Sequence, residues 1–143
     1  MRKTSDRQPL LLDTHIWLWL VLGNTTLSPG TRRMISRAAS VGNLRIAAIT
    51  VWEIALAASR NRIVLGKPTI LWVEEAVAAS TVIIEPLSAS IAVESCELPD
   101  AFHPDPADRL IVATARVIDA VLMTRDQQIL DYAARGHLTA IAA

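Results

Sequence analysis

The sequence has few cysteines, few lysines and no net charge, and each of these shortages argues against a class of protein. Cys96 is the only cysteine, so no internal disulfide can form, and a reducing compartment such as the cytoplasm is expected. The 14 basic residues are balanced by 14 acidic ones, which argues against a uniformly basic nucleic-acid-binding protein. Only two of the basic residues are lysines, Lys3 and Lys67.

Long apolar runs are also missing. The most apolar segment, residues 10–22, is interrupted by Asp13 and His15 and is shorter than the roughly 20 residues that a membrane-spanning helix needs. No cleavage site of small residues follows it closely, so we expect a cytoplasmic protein with no membrane segment. The 143 residues, of which 52% are hydrophobic, are enough for one domain with a buried core. We expect a flexible N-terminal tail over 1–8 and a single domain over 9–143.

Strands and helices are predicted to alternate along the chain. Apolar runs bounded by turn residues predict five strands, at 9–12, 44–48, 81–84, 120–123 and 138–142. Helical spacing and end signals predict the intervening helices, at 14–22, 28–42, 51–58, 68–80, 88–97, 106–115 and 127–135. Alternation of this kind implies parallel crossovers. The predicted fold is therefore an α/β, three-layer α/β/α sandwich around a mostly parallel sheet of four to five strands.

The segment 102–115 is predicted to be a loop that turns into a helix. Pro104 and Pro106 restrict the residues before them to extended backbone, whereas 107–115 contains good helix formers. Asp105 is expected to cap this helix with Pro106 at its first position. Asp108 then lies in the first turn, beside the positive end of the helix dipole.

Four isolated acidic residues occupy junctions of this kind. Asp13 and Asp126 follow the ends of two predicted strands, Glu53 lies early in the helix after another strand, and Asp108 begins the helix that leads to the fourth strand. Ligands of open α/β sheets bind at the carboxyl ends of the strands. Four converging carboxylates would repel one another unless a cation neutralised them, and oxygen ligands alone suit Mg²⁺ or Mn²⁺.

Each acid also has a purely structural interpretation. Aspartates commonly cap helices, and Glu53 follows Thr50 at the spacing of a capping box. Among functional alternatives, a receiver-like signalling domain needs a lysine at a strand end, and neither Lys3 nor Lys67 is placed there. A haloacid-type phosphatase needs a second aspartate two positions after the first, where this chain has His15. A non-catalytic binding module with an acidic pocket stays open as an alternative.

Four short motifs carry a resemblance to a known family. They are 11–15 (Leu-Leu-Asp-Thr-His), 50–54 (Thr-Val-Trp-Glu-Ile), 103–109 (His-Pro-Asp-Pro-Ala-Asp-Arg) and 122–126 (Leu-Met-Thr-Arg-Asp). In this order they resemble the PIN-domain ribonucleases, in particular the VapC-type toxins of toxin–antitoxin pairs. The resemblance implies a PIN-like fold, Mg²⁺- or Mn²⁺-dependent cleavage of RNA, an antitoxin partner and a homodimer. A PIN nuclease that processes RNA without an antitoxin is a second interpretation.

The resemblance assigns roles to residues of this chain. It implies catalytic and metal-binding roles for Asp13, Glu53, Asp108 and Asp126, with Asp13 and Asp108 as the principal ligands. Four further residues are expected to support these acids: Thr14, Asp105, Thr124 and Arg109. For Arg109 two contacts are open, a substrate phosphate or an ion pair with Asp105 or Asp108, and we expect the ion pair. His15 and His103 are not placed in the catalytic set. We further expect Ile70 and Trp72 in a dimer interface, and an antitoxin groove beside Asp13 on the first helix, with Trp17 or Trp19 as its anchor.

Overall fold

The computed structural model describes residues 7–103 and 105–143, which contain five strands and seven helices. The expected flexible tail falls largely on residues 1–6, outside the described residues. The strands are β1 (Leu10–Leu12), β2 (Leu44–Ala47), β3 (Ile83–Glu85), β4 (Val121–Thr124) and β5 (Thr139–Ala142). The helices are α1 (Thr14–Val21), α2 (Pro29–Ser40), α3 (Ala48–Ser59), α4 (Thr69–Ser80), α5 (Ala89–Cys96), α6 (Pro106–Ile118) and α7 (Gln127–Ala134).

The five strands form one parallel sheet with the order β3-β2-β1-β4-β5. From β1 the chain adds β2 and β3 on one side and then crosses to place β4 and β5 on the other. Leu12, the last residue of β1, is in register with Ile46 of β2 and Met123 of β4. The strand order therefore reverses between β1 and β4, which is where an open α/β sheet provides a crevice.

Helices cover both faces of the sheet and create two apolar cores. Alternate residues of β1 point to opposite faces, so Leu12 packs with Ile16 and Trp17 of α1, whereas Leu11 packs with Ile111 of α6. The first core also contains side chains of α2, α3 and α4, and the second contains side chains of α5 and α7. The predicted three-layer α/β/α sandwich with a parallel sheet is confirmed.

Most helix ends follow the predicted signals. Ser28 and Ser88 cap α2 and α5 through their hydroxyls, and Asp105 caps α6 by accepting hydrogen bonds from the backbone N–H groups of Ala107 and Asp108. The largest difference at a strand start is in β3, which begins at Ile83 instead of 81 because Thr81 adopts a left-handed conformation (φ 55°) that ends α4. β1, β4 and β5 each begin one residue later than predicted.

The predicted capping box of Thr50 and Glu53 is wrong. The chain passes from β2 into α3 without a loop, and Ala47, with extended backbone and no side-chain cap, is the residue that precedes the helix. Thr50 is therefore inside α3 and fully buried. Glu53 lies in the second turn, where no free backbone N–H group at the helix start engages it.

Within the described part of the chain, no helix is long and apolar enough to cross a membrane.

Candidate active site at the β1–β4 edge

Asp13 is the buried centre of the site. It follows β1 directly, is 3% exposed, and caps α1. Its Oδ1 accepts a hydrogen bond from the Thr14 N–H group at 2.8 Å, and its Oδ2 accepts one from the Thr124 hydroxyl at 2.6 Å. Because Thr124 ends β4, this second bond joins the two strands that flank the crevice. A buried carboxylate with two donors is held in one orientation.

Glu53 is joined to the same site through hydroxyl groups. The Thr14 hydroxyl donates to its Oε1 at 2.6 Å and lies 2.9 Å from the hydroxyl of Thr50. Burial raises the pKa of Glu53, the hydrogen bond from Thr14 opposes this shift, and the nearby charges of Asp13 and Asp105 raise the pKa further. Thr14 thus connects α1 to the acid of α3.

Asp108 has the most strongly altered acidity of the site. Burial raises its pKa from the ordinary value of 3.8 to about 7, and the negative charges of its acidic neighbours add to this effect. In order of decreasing effect, these neighbours are Asp105, Asp13, Asp126 and Glu53. The sequence-predicted acids therefore lie within electrostatic reach of one carboxyl group. A cation at this edge would relieve their repulsion.

Asp105 and Asp126 each combine a capping role with a place in the site. Oδ1 of Asp105 accepts from Ala107 at 2.9 Å and from Asp108 at 3.4 Å. Oδ1 of Asp126 likewise accepts the N–H groups of Gln128 and Ile129 at the start of α7. In both residues the capping bonds use only Oδ1, and Oδ2 stays available for other contacts.

The expected ion pair of Arg109 is wrong. Its Nε donates to the Ser95 carbonyl oxygen at 2.9 Å, and its Nη1 donates to the carbonyl oxygens of Phe102 and His103 at 3.4 Å. Within 7–103 and 105–143 it forms no salt bridge with an acid of the site. Arg109 instead holds the loop before α6 against α5, since buried carbonyl groups need donors as much as carboxylates do.

Several residues near the acids had no assigned role in the sequence-based hypothesis. Nδ1 of His15 lies 3.7 Å from Asp13 Oδ2, and Nδ1 of His103 accepts the Asp105 N–H group and lies 3.9 Å from Asp108 Oδ2. Thr50 had been interpreted only as a helix cap. Its helical spacing of three residues from Glu53 was visible, but the contact with Thr14 depends on how α1 packs against α3.

The donor set fits a hard divalent cation bound partly through water. All candidate ligands are carboxylate oxygens, which Mg²⁺ and Mn²⁺ prefer. Burial, and after it the negative charges of neighbouring acids, raise the pKa values of Asp108 and Glu53, and a bound cation would favour their ionised forms. In the described residues no three His, Cys, Asp or Glu side chains already form a metal-ligand group. Mg²⁺ usually binds through one or two carboxylates and keeps several waters, so a closed cage is not required.

The fold and the acidic site together define the class of protein. The PIN domain family matches residues 10–135, which is most of the chain. The chain therefore belongs to the PIN-domain family, as its motifs predicted. It is also 36% identical over 121 residues to Ribonuclease VapC22 of Mycobacterium tuberculosis (strain ATCC 25618 / H37Rv), a match that covers 84% of this chain and 88% of the relative.

Solved structures of low sequence identity share the fold. VapBC2 from Rickettsia felis, solved with a DNA fragment from its promoter, matches with a TM-score of 0.65 at 17% identity, over 95% of this chain and 99% of the other. VapBC-1 from nontypeable Haemophilus influenzae matches with a TM-score of 0.60 at 17% identity, over 94% and 98%. A toxin–antitoxin complex from Klebsiella pneumoniae matches with a TM-score of 0.57 at 24% identity, over 83% and 88%.

Proposed function

We propose that this protein is a metal-dependent endoribonuclease that acts as the toxin of a toxin–antitoxin pair. The observation that carries the proposal is the set of carboxylates at the β1–β4 edge, whose repulsion helps to raise the pKa of Asp108 to about 7. The name of the relative from Mycobacterium tuberculosis supports ribonuclease activity. The neighbours solved as toxin–antitoxin complexes support a protein partner of the same kind.

The side chains of the site would have two roles, which are to hold a cation and to orient the reactants. Asp13 and Asp108 would supply the principal oxygen ligands, and Asp126 would add a ligand directly or through water. Glu53, oriented by the Thr14 hydroxyl, would be a further ligand or would accept a hydrogen bond from the attacking water. Bound Mg²⁺ or Mn²⁺ would supply water activation and would stabilise negative charge on the scissile phosphate.

The experiment is a comparison of RNA cleavage by the purified protein and two Asp→Asn variants. Wild type should cleave RNA with Mg²⁺ or Mn²⁺ and stop when a chelator is added. Asp13→Asn should abolish cleavage and keep the circular dichroism spectrum of wild type. Asp131→Asn is the matched control, because Asp131 is exposed on α7 and bonds only the Gln127 side chain among the side chains described. Equal cleavage by wild type and Asp13→Asn would contradict the site assignment.

We expect the antitoxin to bind along α1, in a cleft at the end of this helix and not directly beside Asp13. Trp17 is fully buried against Trp72, so it belongs to the core and is excluded as an anchor. An open cleft of about 620 Å³ lies between the end of α1, α2 and the end of α4, lined by Leu20, Ile35 and Ala79 among others. Asp13 lies at the other end of α1, a helix of eight residues and about 12 Å. A partner segment would therefore have to follow α1 to reach the acids.

Two neighbouring alanines of α4 test this site for the antitoxin. Ala79 lines the cleft, whereas Ala78 is exposed and does not line it. With a small protein that is encoded beside the toxin gene and binds the wild type as the partner, Ala79→Glu should weaken binding and Ala78→Glu should not, because a charge buried in the cleft loses its hydration. Equal affinities of the two variants would place the partner elsewhere.

We also propose a homodimer, which the family resemblance implies. Of the two residues expected at the interface, Trp72 is 8% exposed and packs in the core, so it is withdrawn as an interface residue. Ile70 is 65% exposed and lies beside the exposed Leu71 at the start of α4. These two residues are the remaining candidates for the dimer contact on α4.

A further inference from the structure

Trp19 of α1 lies between two segments that carry acids of the site. Its ring contacts the ring of His15 edge to face, with centroids 5.2 Å apart and planes at 69°. The Trp19 ring also contacts Arg125, whose Cζ atom lies over the ring, 5.0 Å from its centroid, in a cation–π geometry. Arg125 follows β4 and precedes Asp126. One indole ring thus connects the α1 segment of Asp13 with the β4 segment of Asp126.

The guanidinium of Arg125 also joins two other parts of the chain. Its Nε donates to the carbonyl oxygen of Ala143 after β5 at 3.1 Å, and its Nη2 donates to the carbonyl oxygen of Thr26 before α2 at 2.7 Å. Two guanidinium nitrogens of Arg125 therefore donate to backbone carbonyl groups, and its cationic group contacts the Trp19 ring. These contacts suit a residue that fixes backbone position better than one that binds substrate phosphate.

The same two segments are joined a second time through Thr124. The Thr124 hydroxyl donates to Asp13 Oδ2 at 2.6 Å and accepts the Asp126 N–H group at 3.0 Å. On the α1 side, His15 Nδ1 lies 3.7 Å from the same oxygen of Asp13. These contacts lead from Asp13 to His15, Trp19 and Arg125, and from Arg125 through its neighbour Thr124 back to Asp13. We term this set of residues the Trp19–Arg125 cluster.

We infer that Trp19 and Arg125 are positioning residues of the metal site, an inference that rests on the proposed function. Asp13 and Asp126 lie on separate segments and both add negative charge around Asp108, so repulsion acts to separate them. The Trp19–Arg125 cluster holds the two segments together before a cation binds. Mg²⁺ requires near-ideal octahedral geometry, so the spacing of the two carboxylates sets how tightly the ion is held.

The test measures Mn²⁺ binding to the full chain at equilibrium, with free Mn²⁺ followed by electron paramagnetic resonance. Trp19→Leu removes the indole, Trp19→Phe keeps an aromatic face, and Arg125→Met removes the cation from an exposed position. The circular dichroism spectrum and melting temperature of each variant are measured beside its Mn²⁺ affinity. Direct hydrogen-bond partners of metal ligands are worth about 10–100-fold in affinity. For a contact one residue further away we expect the dissociation constant to rise about fivefold in Trp19→Leu and Arg125→Met, and less in Trp19→Phe.

Trp72→Leu is the matched control, because Trp72 makes a similar edge contact, with Trp17, at centroids 5.9 Å apart, and within the described part of the chain it has no ring contact with His15 or Arg125. It should lower thermal stability and keep the Mn²⁺ affinity of wild type. Arg125→Met should also lower kcat more than it changes KM for an RNA substrate. Unchanged Mn²⁺ affinity in both Trp19→Leu and Arg125→Met would overturn the positioning role, as would an equal loss in Trp72→Leu. If wild type itself bound no Mn²⁺ and cut no RNA, the proposed function would fail, and this inference with it.

Discussion

Asp108 carries a carboxyl group whose pKa is raised to about 7 by burial and by four neighbouring acids. In the unfolded chain its pKa is near the ordinary value of 3.8, so between these two values the folded state binds more protons. Without metal, the stability that Asp108 contributes is complete below about pH 4 and is lost as the pH rises to about 7. The raised pKa of Glu53 acts in the same direction.

The variant Asp108→Asn tests this acidity, because asparagine resembles the protonated form and does not titrate. In urea unfolding with a chelator, the variant should gain stability relative to wild type as the pH rises from 5 to 8. Within this range the folded and unfolded states differ in protonation only from pH 5 to about 7. Each pKa unit corresponds to about 1.4 kcal/mol, so the gain is bounded at about 3 kcal/mol, and partial exposure of the side chain reduces it. Asp131→Asn is the control. A pH-independent difference between Asp108→Asn and wild type would contradict the coupling of these acids.

Mg²⁺ should offset the loss of stability that the crowded negative charges cause. At pH 8, where Asp108 is ionised, millimolar Mg²⁺ should raise the melting temperature of wild type, because a ligand that binds only the folded state stabilises it. The shift should be smaller in Asp108→Asn and in Asp13→Asn, each of which lacks one of the proposed ligands. A shift of the same size in all three proteins would indicate that Mg²⁺ binds elsewhere.

At the scale of elements, α1 is the helix on which the first core depends. Trp17 is fully buried, packs edge to face on Trp72 of α4, and donates from Nε1 to the Ser80 hydroxyl at 3.0 Å. We expect Trp17→Ala to lower the free energy of unfolding by about 3–5 kcal/mol, the usual cost of truncating a buried aromatic residue. Trp52, which is 54% exposed on α3, provides the control, and Trp52→Ala should cost much less. Equal losses in urea unfolding would contradict the central place of Trp17.

The sequence was sufficient to predict elements whose signals are local, and it failed where a contact crosses the chain. Asp105 was predicted as the cap of α6 because the cap and its N–H partners lie within three residues. Thr50 was misinterpreted because its partner, the Thr14 hydroxyl, lies on another helix. Arg109 was misassigned for the same reason, since its acceptor at Ser95 belongs to α5. The Trp19–Arg125 cluster joins residues more than 100 positions apart, which no local pattern indicates.

At the scale of the whole molecule, the proposed homodimer concerns a second copy of the chain. If α4 contributes to a homodimer, sedimentation should give a dimer at micromolar concentration, and Ile70→Lys should shift it towards monomer because a buried charge at an interface is unfavourable. Val117→Lys is the control, since Val117 is 42% exposed on α6, which covers the other face of the sheet. A wild-type monomer at this concentration would remove the dimer from the proposal.

The direct passage from β2 into α3 also bears on how the length of this chain can change during evolution. Each residue of a helix turns the following positions by about 100°, so one residue inserted between Ala47 and Ala48 would rotate Glu53 away from Asp13. No loop is present there to absorb the extra residue. The stretch between Arg60 and Pro68, after α3, is mostly exposed apart from Ile63 and Leu65, and its exposed positions can lengthen without moving any acid of the site. Natural insertions should therefore be tolerated after α3 and eliminated at its start.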